Sequence, residues 1–403
     1  MSGSLRVRRS ISDVLTDYFE GEKEPLDKLI RAWHGIQQLS PDDENSFFKI
    51  AGYRGEPFRG AGWGNAAWWG GYCNHGNVLF PTWHRAYILR IEDALRSIAG
   101  CEDVTLPYWN EVGAETLLYG VPRIFLQKRY IFEDKSEIDN PLYSYKFQKP
   151  IFDNLGSFPD ADYSKPEDYR TVRYPFSGLV GPSDIEKTQV YNAELEVLGD
   201  QATDKMLNEN VQSWLNEFIQ NSDGQTILTH TSWKYRHCLG APNYTVFSNA
   251  TSATQWNEDK FGVKKWDPSK QDKIPELVVP LESPHNDMHL AIGGFNLPGK
   301  NNANSPEAWN SNGDMGENDT AGFDPIFFFH HCFIDKVFWT WQQITENTEK
   351  LEIIDQYPGT NSVDSQGPTP GVPGNVWLTM QTPLNPFKNK DGITLTSEVS
   401  SSI

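Results

Sequence analysis

The sequence predicts a mainly α-helical protein with long irregular connections and little β structure. Apolar residues recur at helical spacing in several stretches, around residues 10–40, 85–100, 201–221 and 324–341. Aromatic residues make up 13% of the chain and include 14 tryptophans, which suits a large helical core or an aromatic-lined pocket. With 403 residues the chain can form one large domain or two, and no change in composition marks a boundary.

The first third of the chain contains two predicted helical regions. Residues 10–40 are predicted to be helical, with a break at Glu24-Pro25. His34 lies beside the apolar face of this region, which is typical of a packing or surface histidine. Residues 51–74, rich in glycine and tryptophan, are expected to form an ordered loop. The next helix begins near His84 and ends near Gly100. Its apolar face comprises Tyr87, Ile88, Ile91, Leu95 and Ile98.

The middle and the end of the chain show less periodicity. Residues 110–200 predict long connections with short helices, and residues 201–221 predict an amphipathic helix. Residues 240–280 and 296–323 are polar, which favours loops, and the second of these suits the mouth of a pocket. Beyond about residue 350 the sequence is rich in proline, glycine and serine, so we expect an irregular surface segment.

The charge of the chain restricts its partners. The formal net charge is -19, which argues against nucleic acid or an anionic membrane surface as a partner. No apolar run approaches the ~20 residues of a membrane span, and the basic start lacks the apolar stretch of a signal peptide. We therefore expect a cytoplasmic protein, or a secreted one if a leader has been removed. The four cysteines show no CxxC spacing, and a Cys101–Cys238 disulfide is left open.

The histidines occur in suggestive pairs. His285 and His289 are spaced i and i+4, so that on a helix they share a face and can hold one metal ion. His330 and His331 lie inside an aromatic helix that Asp324 and Pro325 can open. His75 and His84 flank the start of another predicted helix.

Imidazole ligands suit copper, iron, nickel and zinc. His285, His289 and one histidine of the 330–331 pair would make one set of three nitrogens, and His75 with His84 would make part of a second. The chain has neither the HExxH motif of catalytic zinc sites nor the Glu-x-x-His motifs of di-iron bundles. Copper therefore fits best.

Three segments carry a resemblance to a known family: YCNHGNVLFPTWHR, SPHNDMHLAIGG and DPIFFFHHCFIDKVFWTWQ. They resemble the tyrosinase and catechol oxidase (polyphenol oxidase) family of type-3 copper proteins, especially its fungal members, over roughly residues 25–395. The resemblance implies a central antiparallel four-helix bundle with two coppers, each held by three histidines. Residues 1–350 would form the copper domain, and residues 351–403 an irregular extension packed on it without a lid domain. The expected reaction oxidises phenols or o-diphenols to o-quinones with dioxygen.

The resemblance also assigns individual residues. His331 would lie just behind the ligands, and Asp335 would orient a ligand imidazole. Five histidines would be the copper ligands: His75 and His84 on the first copper, and His285, His289 and His330 on the second.

Three further roles follow from the resemblance. Cys73 would form a thioether to His75. Glu282 would order a water near the coppers, and Asn286 would help that water take a proton from a phenol. The alternative role for Glu282 is that of an ordinary acid in the first turn of a helix, stabilised by the helix dipole.

One position departs from the family pattern. The first ligand of the first copper should lie in the segment that here reads Ala51-Gly52-Tyr53-Arg54-Gly55, and Arg54 takes the place of the histidine. A guanidinium stays protonated and offers no lone pair. The alternatives are that His34 or another histidine fills the gap, that two histidines hold the first copper weakly, or that the protein is a single-copper relative with little oxidase activity. A dioxygen carrier or a non-catalytic protein of the same fold is also left open.

Overall fold

Helices form most of the regular structure, which confirms the predicted fold class. The computed structural model describes residues 6–400 except 60, 62–69, 154–162, 182–183, 218, 221–225, 228–229, 263–276, 295–311, 365–368 and 370. In this part of the chain the helices are α1 (Ile11–Glu20), α2 (Glu24–Gln38), α3 (Phe47–Gly52), α4 (Phe80–Arg96), α5 (Ala114–Tyr119), α6 (Ile185–Leu198), α7 (Asp200–Asn216), α8 (Thr231–Cys238), α9 (Tyr244–Ser248), α10 (Ala250–Phe261), α11 (Glu282–Gly293), α12 (Ile326–Ile344) and α13 (Ser397–Ser400).

The β structure of the described residues consists of short antiparallel pairs. They are β1 (Arg129–Ile131) with β2 (Glu137–Asp139), β3 (Ile219–Gln220) with β4 (Thr226–Ile227), and β5 (Pro383–Lys388) with β6 (Thr394–Thr396). Short 3-10 turns lie at Arg123–Phe125, Asp314–Gly316 and Ala321–Phe323. Within the described helices, none combines the length and the apolar character that crossing a bilayer requires.

A bundle of α2, α4, α11 and α12 forms the centre of the protein. Helices α4 and α12 run antiparallel, because His84 stacks on His331 while Tyr87, one turn further along α4, meets Phe327 and Phe328. From α2, Trp33 packs against the aromatic side of α12. Helix α11 turns its histidines toward α4 and α12. The predicted helical bundle is therefore confirmed.

The residues after α12 pack against the bundle. The ring of Phe387 on β5 lies 5.1 Å from Trp83 and 5.8 Å from Tyr87, centroid to centroid. The indole N–H of Trp83 donates to the carbonyl oxygen of Asn385 at 2.8 Å. The hydroxyls of Thr82 and Ser397 are 2.7 Å apart. These contacts join β5 and α13 to the same core as α4.

The stretch 240–280 was predicted to be a loop but contains helices, and the stretch 110–200, predicted to hold short helices, contains one of 14 residues. Helices α9 and α10 lie in the stretch 240–280, where Asn243 and Asn249 act as N-caps by accepting backbone N–H groups with their side chains. Helix α6 lies in the stretch 110–200. Only Thr188 and Leu195 of its residues are buried, so it shows no apolar periodicity in the sequence. All four cysteines are free, so the Cys101–Cys238 disulfide that the sequence left open is absent from the structure.

Candidate metal centre

Six of the nine histidines are buried, and all six meet inside the bundle. They form two groups that share His285, and within each group the potential ligand atoms lie within 4.8 Å of one another. The first group is His75, His84 and His285, and the second is His285, His289, His330 and His331. The three remaining histidines are half-buried and belong to neither group.

The tightest part of the centre is a triangle of imidazole nitrogens. Nε2 of His285 lies 3.1 Å from Nε2 of His289, one turn further along α11. Nε2 of His331 lies 3.3 Å from the former and 3.4 Å from the latter. Bonds of about 2.0–2.1 Å from a metal ion to imidazole put three such nitrogens roughly 3.3–3.6 Å apart. The triangle therefore fits one metal ion.

Hydrogen bonds fix which nitrogen each ring presents. Nδ1 of His289 donates to the carbonyl oxygen of Met315, and Nδ1 of His84 donates to that of Phe80, each at 2.8 Å. A carbonyl can only accept, so the proton sits on Nδ1 and Nε2 keeps its lone pair. Burial lowers the pKa of both imidazoles well below the usual value, and the Arg54 charge acts in the same direction. Both rings are therefore neutral ligands at pH 7.

His330 is held differently. Its Nδ1 lies 2.6 Å from Oε1 of Glu111, and the other carboxyl oxygen of Glu111 accepts from the hydroxyl of Tyr235. Burial raises the pKa of Glu111 well above its usual range and lowers that of His330 to about 3. Nε2 of His330 is buried without a hydrogen-bond partner among the described residues. The sequence assigned His330 as a ligand and His331 behind it, whereas the triangle of nitrogens favours the reverse.

The first group has two histidines of its own. The ring of His75 lies 5.1 Å from His84 and 5.6 Å from His285, centroid to centroid. His75 sits in the loop before α4, while His84 sits in the first turns of α4, where Pro81 helps to start the helix. His34 lies on α2 outside both groups, so the alternative that it fills the missing position is wrong.

Arg54 lies where the first ligand of the first copper was expected, just after α3. Its side chain is buried, and its NH1 donates to Sγ of Cys73 at 3.1 Å and to the carbonyl oxygen of Asn318 at 3.1 Å. It lines a cavity of about 450 Å³ together with residues of both histidine groups. The guanidinium thus faces the centre without being able to bind a metal.

Glu282, the first residue of α11, lines the same cavity. Its Oε1 accepts from the N–H of Gly76 at 2.6 Å, and its Oε2 accepts from the N–H of Ala250 at 2.8 Å. Burial raises its pKa to about 7. Next to it, Oδ1 of Asn286 lies 2.8 Å from Nδ1 of His285. Glu282 therefore ties the loop that carries His75 to α11, and its carboxyl can change protonation near neutral pH.

Asp335 does not orient an imidazole, and that expectation is wrong. Its carboxylate accepts from Nε of Arg85 at 2.5 Å and from NH1 of Arg8 at 3.2 Å. Arg85 is buried beside the ring of Phe338 and also reaches the side-chain oxygen of Gln342. Asp335 thus joins α12 to α4 through Arg85 and to the segment before α1 through Arg8. No sequence pattern pointed to Glu111, which contacts His330 instead.

The bundle and its centre define a histidine-ligated metalloprotein, with an open cavity against the ligands. The donor set is all imidazole, with one nitrogen triangle of ligand dimensions and a second, incomplete group beside it. Residues 32–344 match the family model for the common central domain of tyrosinase. The chain belongs to the tyrosinase family. It is an oxidoreductase of this class, and copper is its cofactor.

The similarity extends along nearly the whole chain. A tyrosinase from Aspergillus oryzae is 52% identical over 96% of this chain and 70% of its own length. Tyrosinase HcTyr2 from Hahella sp. is 48% identical over 98% of this chain and 71% of its own. The structure of the tyrosinase from Burkholderia thailandensis at low pH superposes with a TM-score of 0.83 and 44% identity, over 99% of this chain and 73% of that one.

Proposed function

We propose that this protein uses copper and dioxygen to oxidise phenols or o-diphenols to o-quinones. The observation that carries the proposal is the nitrogen triangle of His285, His289 and His331. Two of these ligands also line a cavity of about 450 Å³, which falls in the size range of small-molecule sites. A phenol in that cavity would lie directly against the metal ligands.

The proposed ligands of the second copper are therefore His285, His289 and His331. His330 stands behind them, oriented by Glu111. Bound copper would supply one-electron redox chemistry and a binding place for dioxygen. His75 and His84 would hold the first copper. Sγ of Cys73 lies 3.1 Å from NH1 of Arg54, so the thioether to His75 has to form beside this cation.

Within the cavity, the residues of the chain position the substrate and handle its proton. The Glu282 carboxyl has a pKa of about 7, close to the pH at which a general base works best. A water held by this carboxyl would accept the phenolic proton, and Asn286 at the cavity wall would help to orient it. Monophenol hydroxylation would follow if both residues act in this way.

Arg54 favours a second candidate function. The first group lacks a third histidine of its own, and a buried cation lines the cavity beside it. A positive charge disfavours a second cation nearby. The second candidate is thus a single-copper member of the family with little oxidase activity.

Copper content after full reconstitution, read together with oxygen uptake on catechol, separates these functions. We expect about two coppers per chain with uptake for the oxidase, and about one copper without uptake for the single-copper protein. The matched control is His237→Ala, because His237 lies on α8 outside both histidine groups. It should leave copper content and uptake unchanged. Uptake by protein that holds no copper would contradict both candidates.

A further inference from the structure

Arg54 is a buried cation that lacks a carboxylate of its own. Its side chain is about 3% exposed, and no carboxylate of the described residues lies within ion-pair distance of it. Its NH1 is held by a sulfur and a backbone carbonyl, and its Nε has no hydrogen-bond partner in the described part of the chain. A buried charge without a counter-ion is costly, so an anion that reaches it gains a strong interaction.

The two carboxyl groups whose charges interact with Arg54 form their hydrogen bonds with other groups. Asp319 accepts the N–H of Gly70 at 2.9 Å and lies 3.4 Å from NH2 of Arg59. Glu282 accepts two backbone N–H groups. Neither carboxylate forms an ion pair with the Arg54 guanidinium. Its charge is therefore left facing the cavity that it lines.

The rest of the cavity wall suits an aromatic ring. Leu290, Met315 and Ala250 line it beside His75, His285 and His289. Methionine and leucine give apolar, adaptable contacts for a ring. Arg54 is thus a permanent cation on a partly apolar wall, and Glu282 is the carboxyl group of that wall.

We propose that Arg54 makes this cavity selective for an aromatic carboxylate, with the carboxylate paired to the guanidinium and the ring on the apolar wall. This deepens the proposed function, on which it rests, by naming phenolic acids as the substrate class. A planar guanidinium offers paired donors that match a carboxylate. The cavity of about 450 Å³ has room for a molecule of that size.

The test compares benzoate with benzamide, its neutral isostere, and with acetate, which lacks the ring. Calorimetry on the full chain, both copper-free and copper-loaded, measures the three dissociation constants. We expect benzoate to bind about tenfold or more tightly than either of the other two, because a desolvated charge-assisted pair contributes this much. Persistence of the preference without copper separates pairing with Arg54 from direct ligation of the metal.

Variants assign the preference to one side chain. Arg54→Gln should abolish it, and Arg54→Lys should keep part of it. Arg129→Gln, which removes an exposed cation on β1, should leave it intact. Equal affinity for benzoate and benzamide in the unmodified chain would overturn the proposal without any variant, as would a preference that survives Arg54→Gln. Equal affinity for acetate and benzoate would reduce the site to a small-anion site and overturn the aromatic part.

These outcomes are independent of the proposed function. Oxygen uptake on catechol, a neutral substrate, reports oxidase activity whether or not anions are preferred. A chain that oxidises catechol but binds benzoate and benzamide alike refutes the anion preference alone. A chain that prefers benzoate but holds no copper refutes the oxidase alone.

Discussion

Oε1 of Glu111 and Nδ1 of His330 share a hydrogen bond of 2.6 Å, between two side chains that are fully buried. The other carboxyl oxygen of Glu111 accepts from the hydroxyl of Tyr235. A hydrogen bond between a carboxyl and an imidazole fixes the orientation of the ring. A chain of phenol, carboxyl and imidazole therefore supports the face of α12 that carries the metal ligands.

Removing that carboxyl should weaken the fold. Glu111→Ala leaves Nδ1 of His330 and the hydroxyl of Tyr235 without their hydrogen-bond partner in a dry environment, so we expect the free energy of unfolding to fall by about 1–3 kcal/mol. Glu111→Gln keeps a hydrogen-bond acceptor, so its free energy of unfolding should fall by less. Urea unfolding of the copper-free protein measures both. Glu115→Ala, on the exposed side of α5, is the control, and an equal effect of Glu111→Ala and Glu115→Ala would contradict the role.

The two neighbouring histidines of α12 should respond differently to truncation. His331→Ala removes a corner of the nitrogen triangle and should lower the copper content by about one per chain. His330→Ala leaves the triangle intact, so copper should stay while stability falls by about 1–3 kcal/mol through the unpaired Glu111. Copper per chain, measured after reconstitution of each variant, shows which of the two histidines is a ligand. Loss of copper in His330→Ala with retention in His331→Ala would restore the assignment that the family resemblance implies.

Local sequence patterns located α4, α11 and α12 because capping residues and apolar spacing act between near neighbours. They could not choose between His330 and His331. Adjacent residues on a helix point about 100° apart, and the position of α11 relative to α12 decides which of the two faces the metal centre. Glu111 gave no signal, because it lies in an irregular segment and meets His330 across 219 positions of sequence. Short helices were expected within residues 110–200, but α6 could not be located there because few of its residues are buried.

Arg54→His tests the incomplete first group directly. An imidazole in place of the guanidinium adds a third donor near His75 and His84 and removes a buried cation. We expect copper content to rise by about one per chain and oxygen uptake on catechol to increase. Arg54→Gln removes the charge without adding a ligand nitrogen and is the matched control. If both variants gain copper equally, the charge rather than the missing ligand limits the site.

Gly293→Ala should disturb α11 at its end. A Cβ at this position would overlap the backbone of Gly316, in the turn whose Met315 carbonyl orients His289. Overpacking of this kind costs about 1–3 kcal/mol, and the shift of the turn should also weaken copper binding. Thermal unfolding and copper titration measure the two effects. Gly240→Ala, where the added atom meets ordinary van der Waals contact, should change neither.

Glu56 gives the protein a stability that depends on pH. Burial, followed by the charges of Asp319 and Asp153, raises its pKa from 4.5 to about 8. Between these two values the folded state holds a proton that the unfolded state releases. The contribution of Glu56 to the free energy of unfolding therefore falls as pH rises from about 4.5 to about 8. Glu56→Gln should make the decline of stability shallower over that range, measured by urea unfolding. Glu133→Gln, at an exposed position, should leave the slope unchanged, and an unaltered slope in Glu56→Gln would refute this account.

The distance along the sequence between the two halves of the metal centre bears on how the protein is made. Gly76, next to His75, meets Glu282, which lies 206 positions further along the chain. During synthesis, His75 and His84 emerge from the ribosome long before α11 and α12 exist, and contacts of such long range form late in folding. At that stage the nascent chain contains only two of the proposed copper ligands, and the bundle is incomplete. The full set of histidines therefore exists only once α12 has been synthesised and has packed against α4.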